Sequence, residues 1–345
     1  MKILKTQKPI AITMGEPSGI SAEIIFKSWK LRKQKNLFPF FVYDCFNRLN
    51  NISQKYNFNI PLKVISSEKE TFDYFDNFLP IININDNVQA NLGTPNYRNS
   101  KFVIQSIDIA VKAACEKKIK AIVTSPVCKK MLIKNGFSFA GQTEYISHIV
   151  SKIKKKKFTE IMILSTTEPC DKQKNLIVGL VTTHLPLRKV NSTLSCDLLV
   201  NKTLSFNNSL KDYWKINSPN IAICGLNPHS GESGFLGKEE EKIITPAIKI
   251  LKRKKIKVEG PISSDTCFSG YIRKKFDGII CHYHDQALIP VKTLDFFKSI
   301  NFTGGLPILR VSPDHGPAFD IAKKRTADPN SMISAIQAAS NFGIL

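Results

Sequence analysis

Short apolar runs and longer stretches of helical period take turns along this whole chain, and that alternation restricts its fold more than any other feature. The runs "PIAITM" (9–14), "PFFVYD" (39–44), "KAIVTSPV" (120–127) and "EIMILST" (160–166) read as buried strands. So do "LIVGLVTTH" (176–184), "NIAICGLNP" (220–228), "FDGIICHYH" (276–284) and "LPILRVS" (306–312). Helix candidates lie at 21–33, 100–118, 143–155, 238–254 and 331–342. In "FVIQSIDIAVKAA" the apolar residues recur three and four apart, which puts them on one buried helix face. Strands alternating with helices bury their apolar faces as an α/β fold with mainly parallel strands. Open sheets of that kind bind ligands beyond the carboxyl ends of their strands. The unusual polar residues stand there: "GEPSG" after the first run, "TTH" after the fifth, "NPHSG" after the sixth and "YHDQ" after the seventh.

A length of 345 residues is too much for one compact core, so two domains are expected, although no linker announces a boundary. With 42% apolar residues the chain has ample material for an interior. No apolar run approaches the ~20 residues that span a bilayer. The amino terminus, "MKILKTQKPIAITMGEP", has a lysine inside its short apolar stretch and no small-residue cleavage site, so no secretory signal is expected. Cys45, Cys115, Cys128, Cys170, Cys196, Cys224, Cys267 and Cys281 form no CxxC pair and read as reduced thiols of a cytoplasmic protein. "TTEPCDKQKN" (166–175) reads as a surface loop.

A formal net charge of +22 raises the question of a polyanionic partner. The lysines concentrate in "SKIKKKK" (151–157) and "LKRKKIK" (251–257), each closing a helix candidate, where the helix dipole favours cations. Neither run interleaves aromatic side chains that could stack on bases. Both read as solvated faces; neither nucleic acid nor a membrane is expected as a partner.

Six histidines occur in the chain. His184, His229 and His284 each follow a strand candidate and precede a turn-like segment. Three imidazoles from three strand ends suit one divalent cation with coordination positions left for substrate. His282 shares a strand face with His284, because side chains alternate along a strand, so spacing does not choose between them. His148 falls within a helix candidate and reads as structural. Lys292, Asn301 and Arg310 follow the histidines; two cations and an amide suit a small phosphorylated or carboxylated substrate. "GLNPHSGESGFLGKEEE" (225–241) fails as a P-loop, since Glu239 stands where Ser or Thr is needed. It and "MGEPSGIS" (14–21) remain glycine-rich turns able to bind an anion through free amides. No GxGxxG fingerprint is present.

"ITMGEPSGISAEI", "GQTEY", "VTTHLPL", "GLNPHSGESG", "GPISSDTCF", "YHDQALIPVK" and "GLPILRVSPDHGPAFDIA" resemble, in order, the motifs of the 4-hydroxythreonine-4-phosphate dehydrogenase family, from about residue 8 to the carboxyl terminus. The resemblance implies a two-domain α/β fold like that of isocitrate and isopropylmalate dehydrogenases, with mainly parallel sheets and a cleft between domains. The expected division is 1–130 plus 305–345 on the cofactor side, and 131–304 for metal binding and dimerisation. It implies NAD or NADP as cofactor and one divalent metal ion (Zn, Mg or Co) on His184, His229 and His284. It also implies a homodimer with a shared active site and a small phosphorylated substrate. Gln142, Thr143, Lys292, Asn301 and Arg310 fall at its substrate positions, and Asp265, Asp285 and Lys292 at its catalytic ones. His315, Gly316, Ala318 and Asp320, in the stretch that cradles the adenosine half of the cofactor, are the expected cofactor contacts.

The implied reaction is oxidation of 4-phosphooxy-L-threonine at C3 and decarboxylation to 3-amino-2-oxopropyl phosphate, in pyridoxine 5'-phosphate biosynthesis. Two departures touch the substrate. Gln142 stands where the family carries a histidine, and glutamine cannot take up a proton near neutral pH. Cys128 also stands where a histidine is common. Related enzymes of the family oxidise phosphorylated sugar acids such as 4-phosphothreonate, which is the alternative substrate class. A metal-dependent phosphatase using the same histidines without NAD is a further alternative.

Overall fold

The computed structural model describes residues 7–167, 169 and 174–342. Cys170 and part of the expected 166–175 loop lie outside the described residues, as does the start of the amino-terminal stretch. The other seven cysteines are free thiols. No helix among the described residues is long and apolar enough to cross a membrane.

The chain divides into two compact units, the described residues of Met1–Lys156 with Pro307–Leu345, and those of Lys157–Leu306. Strands β1 (Ile10–Thr13), β2 (Phe40–Asp44), β3 (Leu62–Val64), β4 (Leu79–Asn83) and β5 (Ala121–Val123) belong to the first unit. The second holds β6 (Ile161–Ser165), β7 (Ile177–Leu180), β8 (Asn220–Cys224), β9 (Lys257–Ile262), β10 (Gly278–Cys281) and β11 (Ile300–Gly304). The chain returns to the first unit with β12 (Arg310–Pro313). The division falls elsewhere than expected. Residues 131–156 pack with the first unit, because Tyr145 donates to Asp108 at 2.8 Å and Lys154 to the Cys115 carbonyl at 3.0 Å, both on the helix Ser100–Cys115.

In the first unit the strands run in the order β3-β4-β2-β1-β5-β12, every pair parallel. Ile10 lies opposite both Phe40 and Ala121, and Arg310 opposite Ile122. β1 and β2 are buried along their whole length, which is why both read as unbroken apolar runs rather than alternating ones. Asp44 closes β2 and is fully buried with Arg48, one turn into the helix Phe46–Lys55. Arg48 grips both carboxylate oxygens, and its Nη1 donates to the Pro17 carbonyl at 3.1 Å. This ion pair therefore fixes the "GEPSG" turn that follows β1.

In the second unit the order is β11-β6-β7-β10-β8-β9. β7, β10, β8 and β9 are parallel neighbours, whereas β6 is antiparallel to both β7 and β11. Phe206, from the helix Cys196–Asp212, seats on two glycines of this sheet. A Cβ would lie 2.8 Å from its ring at Gly179 of β7 and 2.6 Å at Gly278 of β10.

Candidate active site

β7 and β10 pair in parallel, Val178 opposite Ile279 and Leu180 opposite Cys281. The pairing continues past their ends. Val181 N–H donates to the Cys281 carbonyl at 2.9 Å, and Thr182 donates to the His282 carbonyl through both N–H (3.2 Å) and Oγ1 (2.7 Å). Residues a few positions beyond each strand are thereby made neighbours. The His184 and His284 rings lie 5.7 Å apart between centroids. An imidazole nitrogen binds a zinc-like ion at about 2.0–2.1 Å, which sets its ring centre roughly 3 Å away, so two rings sharing an ion stand about 5–6 Å apart. The observed pair fits. Behind it, Asp285 Oδ1 lies 2.7 Å from His284 Nδ1. A carboxylate there fixes the tautomer and leaves Nε2 to face a metal, the usual outer support of a ligating histidine.

His284 does not end a strand, as its apolar context predicted. β10 stops at Cys281, and His284 is the first residue of the helix His284–Leu294. His282 plays a different part. It is fully buried, its Nε2 lies 2.6 Å from the Cys224 carbonyl, and its N–H donates to Gln286 Oε1 at 2.6 Å. Gln286 in turn donates to the Gly225 carbonyl and to Ser264 Oγ, both at 2.8 Å. Burial lowers the His282 imidazole from 6.5 to about 4. It is a neutral brace across β8 and β10, not a ligand.

That brace carries a pH signature. Below 6.5 the unfolded chain takes up a proton that the folded His282 refuses until about pH 4, so its share of stability is present above 6.5 and lost as acid approaches 4. The whole shift corresponds to roughly 3 kcal/mol. The urea midpoint is expected to fall across that window, and less steeply in His282→Gln; equal slopes would remove His282 as the cause.

His229 leaves β8 in a turn of unusual backbone. From His229 to Ser233 every φ is positive, and Gly234 continues the run. Left-handed backbone costs L residues about 1–2 kcal/mol each, so the turn must be held. Glu240 holds it, accepting from Leu226 N–H and Asn227 N–H at 2.8 Å each and from Asn227 Nδ2 at 2.9 Å. In the sequence Glu240 was only part of a helix candidate, and Asn227 only part of the polar "NPHSG" turn. Among the described residues no three His, Cys, Asp or Glu side chains lie together closely enough to hold an ion. The single chain brings two of the three expected histidines together and leaves His229 apart from a three-ligand set.

Asp265 lies in the short helix Ser264–Cys267 and accepts from Ser263 Oγ at 2.6 Å. That bond, with a smaller contribution from His229, holds its carboxyl below the usual carboxylate range. Lys292 follows His284 by two turns of the same helix and donates to Ser299 Oγ at 3.1 Å. Asn301 sits on β11 opposite Leu164, with a buried Oδ1 that has no hydrogen-bond partner among the described residues.

The remaining site residues lie in the first unit. Gln142 and Thr143 begin the helix Gln142–Lys154, and Gln142 Nε2 donates to the Ser125 carbonyl at 3.4 Å. Arg310 opens β12, is 3% exposed, and donates from Nε to Thr124 Oγ1 at 2.9 Å. Burial pulls its guanidinium down to about 10, against the opposing effect of Glu144, so it keeps its charge at neutral pH. His315, Gly316, Ala318 and Asp320 follow β12 in one loop. His315 Nδ1 lies 3.0 Å from the Gly316 carbonyl, Ala318 is left-handed at φ 45, and Gly316 and Asp320 are exposed. Ile20 N–H donates to the Pro317 carbonyl at 3.0 Å, tying this loop to the turn after β1. A cleft of about 1040 Å³ in the same unit, lined by Arg48, Lys55, Tyr97 and Lys134 among others, includes none of these residues.

The chain matches the family model described as pyridoxal phosphate biosynthetic protein PdxA over residues 40–339. It is 36% identical over 334 residues to the 4-hydroxythreonine-4-phosphate dehydrogenase of Zymomonas mobilis, covering 97% of this chain and 95% of that one. With the enzyme of the same name from Erythrobacter litoralis it shares 37% identity over 330 residues, covering 96% and 95% of the two chains. The crystal structure of a 4-hydroxythreonine-4-phosphate dehydrogenase from Burkholderia phymatum superposes with a TM-score of 0.79 at 30% identity, covering 99% of this chain and 100% of that one.

Proposed function

This chain belongs to the PdxA family of pyridoxal phosphate biosynthetic proteins, and from that premise we propose that it oxidises 4-phosphooxy-L-threonine at C3 with NAD and a divalent metal ion, giving 3-amino-2-oxopropyl phosphate and carbon dioxide. It is a dehydrogenase of pyridoxal phosphate biosynthesis; the cofactor, the metal and the decarboxylation are the proposal. The observation that carries it is the convergence of His184 and His284 with Asp285 behind.

His184, His229 and His284 are the proposed metal ligands, the set being completed across a homodimer. When bound, the ion supplies Lewis acidity at the reacting oxygen and the nicotinamide accepts hydride. The chain's own residues do the rest. Asp285 orients the His284 ring. Lys292, Asp265 and Asp285 are the candidates to receive the C3 hydroxyl proton. Arg310, whose charge burial does not remove at neutral pH, and Lys292 and Asn301 hold the phosphate and carboxylate. Gln142 and Thr143 are the further substrate contacts, and His315, Gly316, Ala318 and Asp320 the cofactor contacts. Oxidation leaves a ketone β to the carboxylate, the arrangement from which carbon dioxide departs.

One observation favours a second reading, oxidation of 4-phosphothreonate. Gln142 offers a neutral amide where the family carries a titratable ring. Purified protein given magnesium, NAD and each substrate in turn tests both readings. NADH is expected from 4-phosphooxy-L-threonine at the higher kcat/KM; none from either substrate would reject the assignment.

A further inference from the structure

The left-handed turn that carries His229 is fastened to two neighbouring carboxylates through one amide. Asn227, two residues ahead of His229, donates from Nδ2 to Glu239 Oε2 at 2.7 Å and to Glu240 Oε2 at 2.9 Å. Both amide hydrogens are thereby used. They also settle which way the amide faces, because its oxygen in that place would meet only acceptors. Glu240 Oε1 takes the Leu226 and Asn227 N–H groups as well, so side chain and backbone are held together. Gly231 and Gly237 leave the room this needs. A Cβ at Gly231 would lie 2.7 Å from Glu240 Oε2, and one at Gly237 would overlap Asn227 Nδ2.

Glu239 reaches a second segment. Its Oε1 accepts from Asn191 Nδ2 at 2.8 Å, and Asn191 lies on the helix Leu187–Thr193, which begins three residues after His184. The Asn227 amide above all holds the Glu239 carboxyl below the usual carboxylate range, so it accepts as an anion at neutral pH. One small network thus joins the chain beyond His184 to the turn of His229, two of the three proposed ligands. Resting on the metal reading above, we infer that Asn227, Glu239 and Glu240 form a clamp that presets the His229 imidazole for the ion, with Asn227 as the positioning residue at its centre. A left-handed turn without such a hold relaxes, and the arriving ion must then order it. Loss of the clamp therefore shows as weaker metal binding.

The test is the zinc affinity of the full chain, measured by competition with a chromogenic chelator, beside the visible absorption of the cobalt-loaded protein. Asn227→Asp keeps the size of the side chain but sets a third carboxylate against the other two. It is expected to weaken zinc binding roughly 10- to 100-fold, the range for groups that orient a metal ligand, and to alter the cobalt bands as a nitrogen donor is lost. Asn227→Ala, which removes the donor without adding charge, should act in the same direction. Urea unfolding checks that each variant folds, and either one suffices. Both changes are then repeated on His229→Ala. Because the clamp acts through His229, they should cost less than about 2-fold more there, whereas a general loosening of the fold would add its full effect. Additive losses, or Asn227 variants that bind zinc like the wild type, overturn the clamp and leave the metal site standing. A zinc affinity untouched by His229→Ala removes His229 from the ligand set, and the clamp with it.

Discussion

Replacing His284 with alanine is expected to lower metal-dependent NADH production by more than about 100-fold while leaving the fold intact. The bound on the effect comes from its neighbour. Outer partners of metal ligands are worth about 10–100-fold when removed, so Asp285→Asn should fall in that range and loss of the ring itself beyond it. The His284 side chain is 36% exposed, at the start of a helix, so its removal opens no core cavity. Stability should change by no more than about 0.5 kcal/mol, as for other surface substitutions. Thermal unfolding of each variant, with inductively coupled plasma measurement of bound metal, separates the two effects. His284→Ala should be metal-poor and folded. An alanine variant that keeps full metal content and turnover would remove His284 from the site.

The second large effect is on stability and lies away from the chemistry. Asp44→Asn removes the carboxylate that Arg48 grips, with the two side chains only 0% and 2% exposed. A buried guanidinium left without its partner costs about 3–5 kcal/mol, a large part of the roughly 5–15 kcal/mol that holds a typical domain folded. The same change loosens the Pro17 carbonyl contact, and with it the turn after β1. Urea unfolding of the wild type and of Asp44→Asn reads the loss directly. Asp44→Leu combined with Arg48→Met should recover much of it, since a packed apolar pair needs no counter-charge. A loss below about 1 kcal/mol in the single variant would place the pair among exposed, weakly contributing ones.

What the sequence made legible, and what it did not, follows from how local each signal is. β1, β2, β5, β7, β8, β10 and β12 stood out because interior parallel strands are apolar on both faces, and β6, antiparallel but buried along its whole length, read the same way. β3 did not, since "LKV" is short and mostly exposed, nor did β4, whose "LPIIN" carries a proline. The helix Cys196–Asp212 was hidden by its many Asn, Ser and Thr residues, which favour turns when read alone. His284–Leu294 was masked by Pro290 inside the helix and by the strand-like "CHYH" before it. A shift of the first domain boundary from 130 to 156 has the same origin, because the contacts of Tyr145 and Lys154 with the helix Ser100–Cys115 are long-range.

The candidate site divides similarly. That His184, His229 and His284 each follow a strand run was readable from the sequence; that the rings of two of them meet was not. Between His282 and His284 spacing left the choice open, and family resemblance pointed to His284. The structure gives the two different surroundings: the Cys224 carbonyl and complete burial engage His282, while the His284 ring lies beside His184 and Asp285.

The central claim is that His184, His229 and His284 hold one divalent ion beside the substrate. Anomalous diffraction at the zinc edge from crystals of the zinc-loaded protein tests it most directly. One strong peak is predicted per subunit, about 2.0–2.1 Å from a nitrogen of each of the three imidazoles, with His229 drawn from the same chain or from its partner copy. A peak bound elsewhere, or one that leaves His184 and His284 both uncoordinated, would contradict it.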